Sequence, residues 1–487
     1  MNYSFYIIAL LSILGAIFIP LMFWNQMRID FFSKMIAKKL MQLDLDFFAS
    51  EVIRNAVKIA IKYRQKDIIS FLLDGQIIKA AKIIKKHNTL WATLMLAFLN
   101  PRESAQKLQI MLKKNPQNSQ LSAYLALLFE AMGEKTKIQV AWDNVNEKKL
   151  SPYLRAFYWL NIAEIALKNG DLEFATKQFY KAASLLNKTE AFFEEADIYI
   201  KLGTIYRICF IDDVAETLFL SALRTFKLLK YQNGIAKVYA NLGMLMIGEE
   251  RFNEAENYLL KSLDIYDTNK LMINIAEIYN QLALLFILQK KFTEATKYLN
   301  KAKTIHTKEN NTNGIAFSLE LFANNLWEQD KYSEVIKKAN SAIKLYKKCN
   351  NISGLLETSY LLAQALFKQG DDIAAENTLR DIIKIGKNEC GCFYLANAYN
   401  LLGIVYIKRN DLRRAKGLFQ QSLDLEQRGV RSKAIATDYA NLGLLEMRCG
   451  HKDCAEKNLQ MAMKFAQDIE DTQMIEWLQG QLCKINN

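Results

Sequence analysis

Small and apolar residues recur along most of the chain with a 40-residue period, and one column of this repeat contains only glycine and alanine. Its eight members are Ala163, Gly203, Gly243, Ala283, Ala323, Ala363, Gly403 and Gly443. The residues that precede them are all large and apolar, namely Ile162, Leu202, Leu242, Leu282, Phe322, Leu362, Leu402 and Leu442. A small residue lets two helices approach closely while its large neighbour fills the groove between them. The two columns therefore predict tightly packed helices.

Three further columns follow the small residue by 12, 16 and 19 positions, beginning with Ala175, Phe179 and Ala182. Their mutual spacings of four and seven residues place them on one face of a second helix. Turn signals such as the Asn-Gly-Asp of residues 169–171 separate the two helices, with glycine ending one helix and aspartate capping the next. Residues 151–466 are therefore predicted to form eight 40-residue helical hairpins, each burying its apolar face against its neighbours.

Proline is restricted to the first third of the chain, at Pro20, Pro101, Pro116 and Pro152. Residues 153–487 contain none, which favours uninterrupted helices because proline breaks a helix interior. The predicted fold class is all-α.

This column pattern resembles the tetratricopeptide repeat (TPR) family, and the 40-residue spacing is similar to that of kinesin light chains. The resemblance implies a superhelical solenoid of helix-turn-helix repeats whose first helices line a concave surface that holds extended peptides. Residues 28–150 resemble degenerate repeats of the same kind and are basic, and residues 467–487 are predicted to be a C-terminal capping helix.

Polar residues repeat near the small column on the predicted first helices, and we expect them to bind a protein or peptide partner. They are Asn161, Asn241, Asn280, Gln281, Asn324, Gln364, Asn400 and Asn441, together with the lysines Lys201 and Lys237. Each amide offers both a donor and an acceptor to a peptide backbone, and the ladder resembles the one with which kinesin light chains hold cargo peptides. The alternative is that some of these amides only bond the neighbouring hairpin. The two lysines also allow a clamp for the carboxylates of a chaperone tail, as in other members of the family, although the arrangement matches that clamp only in part.

The N-terminal segment has no charged residue from Tyr3 to Trp24, and about 20 apolar residues suffice to cross a bilayer as a helix. Residues 1–27 are therefore predicted to be a transmembrane anchor. The alternative, a cleaved signal peptide, needs a basic start and small residues at the cleavage site, where this chain has bulky ones.

Basic residues follow this segment at Arg28, Lys34, Lys38 and Lys39, and +11 of the net charge of +13 falls in residues 1–160. Lysine and arginine remain on the cytoplasmic side of a membrane, which predicts single-pass localisation with the solenoid facing the cytoplasm. Basic residues at that position also favour contact with anionic lipid headgroups rather than with nucleic acid.

Candidate chemistry is sparse, since the chain has only three histidines and seven scattered cysteines. The motif Cys449-Gly-His451-Lys-Asp-Cys454 and the pair Cys390 and Cys392 contain metal-binding side chains, but neither completes a zinc-site pattern. A turn with incidental cysteines is the favoured interpretation, so no cofactor, no metal site and no enzyme activity are predicted.

The sequence thus predicts a membrane-anchored scaffold or adaptor that recruits partners for complex assembly or quality control, as bacterial inner-membrane TPR proteins do. One alternative is a protein-import or chaperone-docking receptor on an organelle or envelope membrane. An alternative of another class is a metal or redox protein that uses the four cysteines of the two motifs.

Overall fold

The computed structural model describes residues 100–486 apart from 169–170, 190, 389–391 and 430–431, together with residues 83, 90, 93 and 94. Every α-helix or 3-10 helix that follows lies in this described part of the chain. The helices are α1 (Pro101–Lys114), α2 (Ser119–Ala131), α3 (Lys135–Asp143), a short 3-10 helix (Glu147–Lys149), α4 (Pro152–Lys168), α5 (Leu172–Lys188), α6 (Phe192–Ile208), α7 (Asp212–Leu229), α8 (Gln232–Gly248), α9 (Phe252–Thr268), α10 (Met272–Leu288), α11 (Phe292–Lys308), α12 (Thr312–Trp327), α13 (Tyr332–Lys348), α14 (Ile352–Gln369), α15 (Asp372–Asn388), α16 (Cys392–Lys408), α17 (Leu412–Gly429), α18 (Ser432–Cys449), α19 (Lys452–Asp468) and α20 (Thr472–Asn486).

The described residues fall into two compact units: unit 1 comprises those up to residue 165 and those of 172–245, and unit 2 comprises those of 166–171 and 246–487. In unit 1, α1 packs on α2, α2 on α3, α5 on α6, and α6 on α7. In unit 2, each helix from α10 to α20 packs on the next one along the chain. Alternate helices also touch there, since α12 contacts both α10 and α14, and α14 contacts α16. Each unit is thus built by stacking neighbouring helices, and the all-helical TPR-type arrangement predicted from the sequence is confirmed.

The turns between helices recur regularly, two to each repeat. A residue with left-handed backbone conformation stands at Phe210, Lys230, Glu250, Lys270, Lys290, Asn310, Asp330, Asn350, Gly370, Asn410, Gly450 and Glu470. After α7, for example, the N–H of Tyr231 bonds the carbonyl of Phe226 at 2.9 Å, and the N–H of Lys230 bonds Lys227 at 3.1 Å. This Schellman arrangement satisfies the last helix carbonyls and reverses the chain within three residues.

The repeat columns form the core. All eight residues of the small column are buried, as are those 12 positions later. Helix approach at the small column is close, because a Cβ on Gly403 would lie 2.6 Å from the ring of Phe419, the residue 16 positions later. Gly203 faces Phe219 in the same way, also at 2.6 Å. The bulky ring on one helix therefore requires the missing side chain on the other.

The end of the second helix of a hairpin also comes close to the start of the next hairpin. A Cβ on Gly314 would lie 2.3 Å from Nδ1 of His306, and one on Gly354 would lie 2.5 Å from the ring of Tyr346. Each large side chain comes eight residues before the glycine that accommodates it. His306 and Tyr346 are both almost completely buried, so these glycines allow consecutive hairpins to pack closely.

Unit 2 ends with α20, which packs on α19. Leu478 and Ile485 of α20 are buried in one cluster with Leu459, Ala462 and Ala466 of α19. The last hairpin therefore does not leave its apolar face open to water.

The described residues provide no helix that is both long and apolar enough to cross a membrane. The longest of these helices, such as α7 and α14, have 18 residues, or about 27 Å at 1.5 Å per residue. They also carry polar residues on the face that does not pack. The predicted transmembrane helix, and with it single-pass membrane localisation with a cytoplasmic solenoid, is therefore not supported by the described structure. The residues on which those predictions were placed, 1–27 and the basic Arg28, Lys34, Lys38 and Lys39, lie outside the described residues.

Candidate partner-binding surface

Eight helices carry the predicted binding residues, and each is the first helix of its hairpin. We call them the A helices (α4, α6, α8, α10, α12, α14, α16 and α18) and their partners the B helices. The A-helix face is defined here by the half-exposed residues Asn161, Lys201, Asn241, Gln281, Asn324, Gln364 and Asn441. Since these residues recur at nearly fixed positions, the A-helix face of each unit repeats from hairpin to hairpin.

In unit 1 the A-helix face carries ion pairs between successive A helices. Nζ of Lys201 lies 2.5 Å from Oε1 of Glu164, and Nζ of Lys237 lies 2.5 Å from Oδ1 of Asp197. Burial lowers the pKa of Lys201, but the carboxylates of Glu164 and Asp197 outweigh burial, and the net pKa is raised. Both lysines are already engaged with acids. In a chaperone-tail clamp, the carboxylates of the partner would have to displace Glu164 and Asp197 from these two lysines.

The asparagines of unit 1 remain at the surface. Asn161 and Asn241 are both half-exposed. Nδ2 of Asn241 donates to the carbonyl of Lys237 at 2.8 Å, and its Oδ1 accepts from Thr204 of the preceding A helix at 3.4 Å. Asn241 thus spans two A helices while keeping part of its side chain accessible.

In unit 2 two predicted binding residues lie between helices instead. Asn280 is completely buried and accepts a 3.0 Å hydrogen bond from the hydroxyl of Ser318. Asn400 donates a short hydrogen bond to Oδ1 of the buried Asp438. Each of these contacts joins residues 38 positions apart on successive A helices. Asn280 therefore offers no surface to a partner, and Asn400 is engaged with the next hairpin.

A third pair of the same type is formed by Glu320 and Thr358. Oε2 of Glu320 accepts hydrogen bonds from the hydroxyls of Tyr346 at 2.8 Å and Thr358 at 2.9 Å. Burial and, to a smaller extent, the neighbouring Glu357 raise the pKa of Glu320 to about 7, although the two hydroxyls oppose the shift. Burial likewise raises the pKa of Asp438 to about 6. Unit 2 therefore contains two buried acids between its A helices.

The remaining predicted residues of unit 2 lie on the A-helix face. Asn324 and Gln364 are half-exposed at equivalent positions of α12 and α14. Asn441 is half-exposed and donates to Oδ1 of Asn400 at 3.2 Å. Gln281 is half-exposed overall, although its Oε1 is buried without a hydrogen-bond partner among the described residues. Asn324 and Gln364 form the clearest repeated pair of accessible amides.

Several residues of this surface were not predicted from the sequence. The acids Glu164 and Asp197 neutralise the predicted lysines, and the exposed Glu357 accepts a 2.8 Å hydrogen bond from the hydroxyl of Tyr394. Phe317, 39% exposed, adds an apolar side chain to α12. Each acid precedes its lysine by about one repeat, and this separation is the signal that could have revealed the ion pairs. The proposed cysteine pair Cys390 and Cys392 has no described side chains.

Comparison with protein-family models identifies tetratricopeptide repeats at residues 274–348 and 355–428, and at residues 236–269. None of the curated proteins compared with the chain matches it. Among solved structures, the chain is similar to BtubC (BKLC) from P. vanneervenii, with 15% identity, a TM-score of 0.41, and coverage of 46% of this chain and 92% of that chain. It is also similar to a Rap protein solved with Competence and Sporulation Factor, with 13% identity, a TM-score of 0.44, and coverage of 68% and 97%.

A further similarity is to the TPR-like repeats of a putative kinesin light chain from Podosopora anserina, with 15% identity, a TM-score of 0.34, and coverage of 40% of this chain and 95% of that chain. Identities and TM-scores this low carry no argument about partners or activity. The family models, in contrast, match the amino-acid sequence of this chain directly. Residues 236–269, 274–348 and 355–428 are tetratricopeptide repeats, which confirms the predicted repeat type for this part of the chain.

Proposed function

We propose that the protein is a binding scaffold, rather than an enzyme, and that it holds an extended segment of a protein partner along the A-helix face of unit 2. The observation that carries this proposal is the repeated pair Asn324 and Gln364. They are accessible amides on two A helices that pack against each other. Each amide can donate to and accept from a peptide backbone regardless of the partner's sequence.

The spacing suits an extended peptide. Packed helices lie about 8–10 Å apart, and an extended chain advances about 3.3 Å per residue. Successive A helices would therefore meet about every third residue of the partner. Phe317 and Glu357 lie on the same two helices, α12 and α14, and would select apolar and basic side chains between those contacts.

The A-helix face of unit 1 has a different chemistry. Its two ion pairs are partly exposed, with side-chain exposures of 32% for Lys201 and 48% for Lys237. Ion pairs at such exposure stabilise a protein by only about 0.2–1 kcal/mol, so a charged partner can exchange them at little cost. We propose that this face contributes charge selectivity to binding.

A matched pair of double variants tests the proposal. Asn324→Ala with Gln364→Ala removes the accessible amides of the A helices. The control, Asn300→Ala with Asn340→Ala, removes two exposed asparagines that also occupy equivalent positions of successive repeats but lie on the B helices α11 and α13. Partners captured from native extract by the wild type should be lost with the first variant and kept with the control. Equal capture by both variants would refute binding at this face.

A further inference from the structure

The turn that ends α18 differs from the equivalent turns of the other hairpins. In each of these turns, the backbone N–H of the residue after the left-handed position bonds a carbonyl five residues earlier. The residues that supply this carbonyl are Tyr206, Met246, Phe286, Leu326, Leu366, Tyr406 and Glu446. Six of them are apolar or aromatic, as expected where a helix end makes its usual hydrophobic contact. Only the last position holds a carboxylate.

Glu446 is buried, with 4% of its side chain exposed, and both of its oxygens contact cationic or titratable groups. Oε2 lies 2.7 Å from Nδ1 of His451, the residue that the turn brings back over the helix end. Oε1 lies 2.5 Å from Nζ of Lys416, which reaches over from α17. A buried carboxylate in an otherwise apolar column thus faces a small polar cluster.

Cys449, the last residue of α18, completes this cluster. A carboxylate oxygen of Glu446, Sγ of Cys449 and a ring nitrogen of His451 all lie within 4.8 Å of one another. A tetrahedral zinc ion holds such ligand atoms roughly 3.4–3.6 Å apart, so small side-chain rotations bring these three into range. Oxygen, sulfur and nitrogen are all ligands that zinc accepts in proteins.

We propose that Glu446, Cys449 and His451 form a binding site for a divalent transition-metal ion of the zinc class. The ion takes the place of the Lys416 ammonium in front of Glu446. That lysine can move aside because 59% of its side chain is exposed. Cys449 loses its thiol proton to solvent on binding, and His451 binds through a neutral ring.

Cys454 or a water molecule would supply the fourth ligand. Cys454 stands in the first turn of α19 and is exposed.

Zinc titration of the full chain, purified metal-free under reducing conditions and measured against a chromophoric chelator, tests the site. The wild type should bind one zinc ion that Cys449→Ser and His451→Gln each weaken by at least about tenfold, the lower end of what is lost even when a residue supporting a metal ligand is removed. The control Cys483→Ser alters an exposed thiol on α20 and should leave the affinity unchanged.

A variant that strengthens zinc binding excludes misfolding as the reason why other variants lose zinc affinity. Lys416→Met removes the competing ammonium and should tighten zinc binding by about two- to fivefold, the factor that corresponds to a partly exposed ion pair. No zinc binding by the wild type, or equal affinity in Cys449→Ser and wild type, would overturn the proposal. Weaker binding in Lys416→Met would also contradict it, since the lysine would then support the ion instead of competing with it.

Discussion

The Tyr346 hydroxyl donates a 2.8 Å hydrogen bond to Oε2 of Glu320, a carboxyl group that is only 3% exposed. Tyr346 belongs to the B helix α13 and Glu320 to the A helix α12. With Thr358 of α14 donating to the same oxygen at 2.9 Å, one acid ties three helices of unit 2 together. Its protonation state therefore bears on the stability of the stack.

We predict that Glu320 makes the stability of the wild type depend on pH. Burial raises its pKa to about 7 in the folded protein, against about 4.3 for an ordinary glutamate. Between these values the folded protein keeps a proton that the unfolded chain has lost, so the free energy of unfolding falls as pH rises. Glu320→Gln mimics the protonated form and should be more stable than wild type at pH 8, by on the order of 3–4 kcal/mol.

Urea unfolding at pH 5 and pH 8 measures this difference. The stability advantage of Glu320→Gln over wild type should be small at pH 5 and grow by pH 8, because other titrating groups cancel in the comparison. An unchanged difference between the two pH values would show that Glu320 titrates normally.

We predict that Asn280 and Asn324 have separate roles although both belong to the predicted amide ladder. Asn280→Ala removes one of two acceptors of the buried Ser318 hydroxyl, the other being the Gly314 carbonyl, and should lower the free energy of unfolding by about 0.5–1.5 kcal/mol. Asn324→Ala changes a half-exposed side chain and should stay within about 0.5 kcal/mol of wild type. Thermal unfolding of the two variants checks this, and similar losses in both would refute the assignment.

The sequence allowed the packing columns to be predicted because the required size of a residue at a helix contact is a local property. Ala283 and Gly403, for example, stand where a neighbouring helix comes close, and each of them is small. The separation of Asn280 from Asn324 was not predictable in the same way. Their positions in the repeat differ by four residues, which is about 40° of rotation around a helix, and the tilt of the neighbouring helix decides which of them is covered.

The Glu446 cluster was missed for a related reason. Cys449, His451 and Cys454 form one motif in chain order, and Glu446 lies outside it. Glu446 lies five residues before His451. The two side chains meet only because the turn that ends α18 bonds the N–H of His451 to the carbonyl of Glu446. The acids that pair with Lys201 and Lys237 come from the preceding hairpin, so helix stacking alone creates those contacts.

We predict that Gly314→Ala destabilises the protein. The new Cβ would lie 2.3 Å from Nδ1 of His306, and the buried ring must shift, at a cost of about 1–3 kcal/mol. Gly417→Ala is the matched control, because a Cβ there meets no atom within 4 Å and alanine favours a helix interior by about 1 kcal/mol. Unfolding midpoints should therefore move in opposite directions, and a fall of equal size in both would contradict the close packing of Gly314.

We predict that Phe210 is a strained residue whose replacement stabilises unit 1. It has a φ of 59° and is 86% exposed, so the ring gains little while its Cβ disfavours the left-handed conformation. Phe210→Gly should be about 0.5–1 kcal/mol more stable than Phe210→Ala, which keeps the Cβ. Equal melting temperatures for the two variants would show that the turn is not strained.

The most direct test of binding at the A-helix face is site-specific photo-cross-linking in native cells. A photoreactive aromatic amino acid replaces the exposed Phe317 on the A helix α12 in one variant and the exposed Asn340 on the B helix α13 in the other. Binding at the A-helix face predicts a discrete partner adduct from position 317 that position 340 does not give. Adducts from position 340 alone, or the same adducts from both positions, would contradict it.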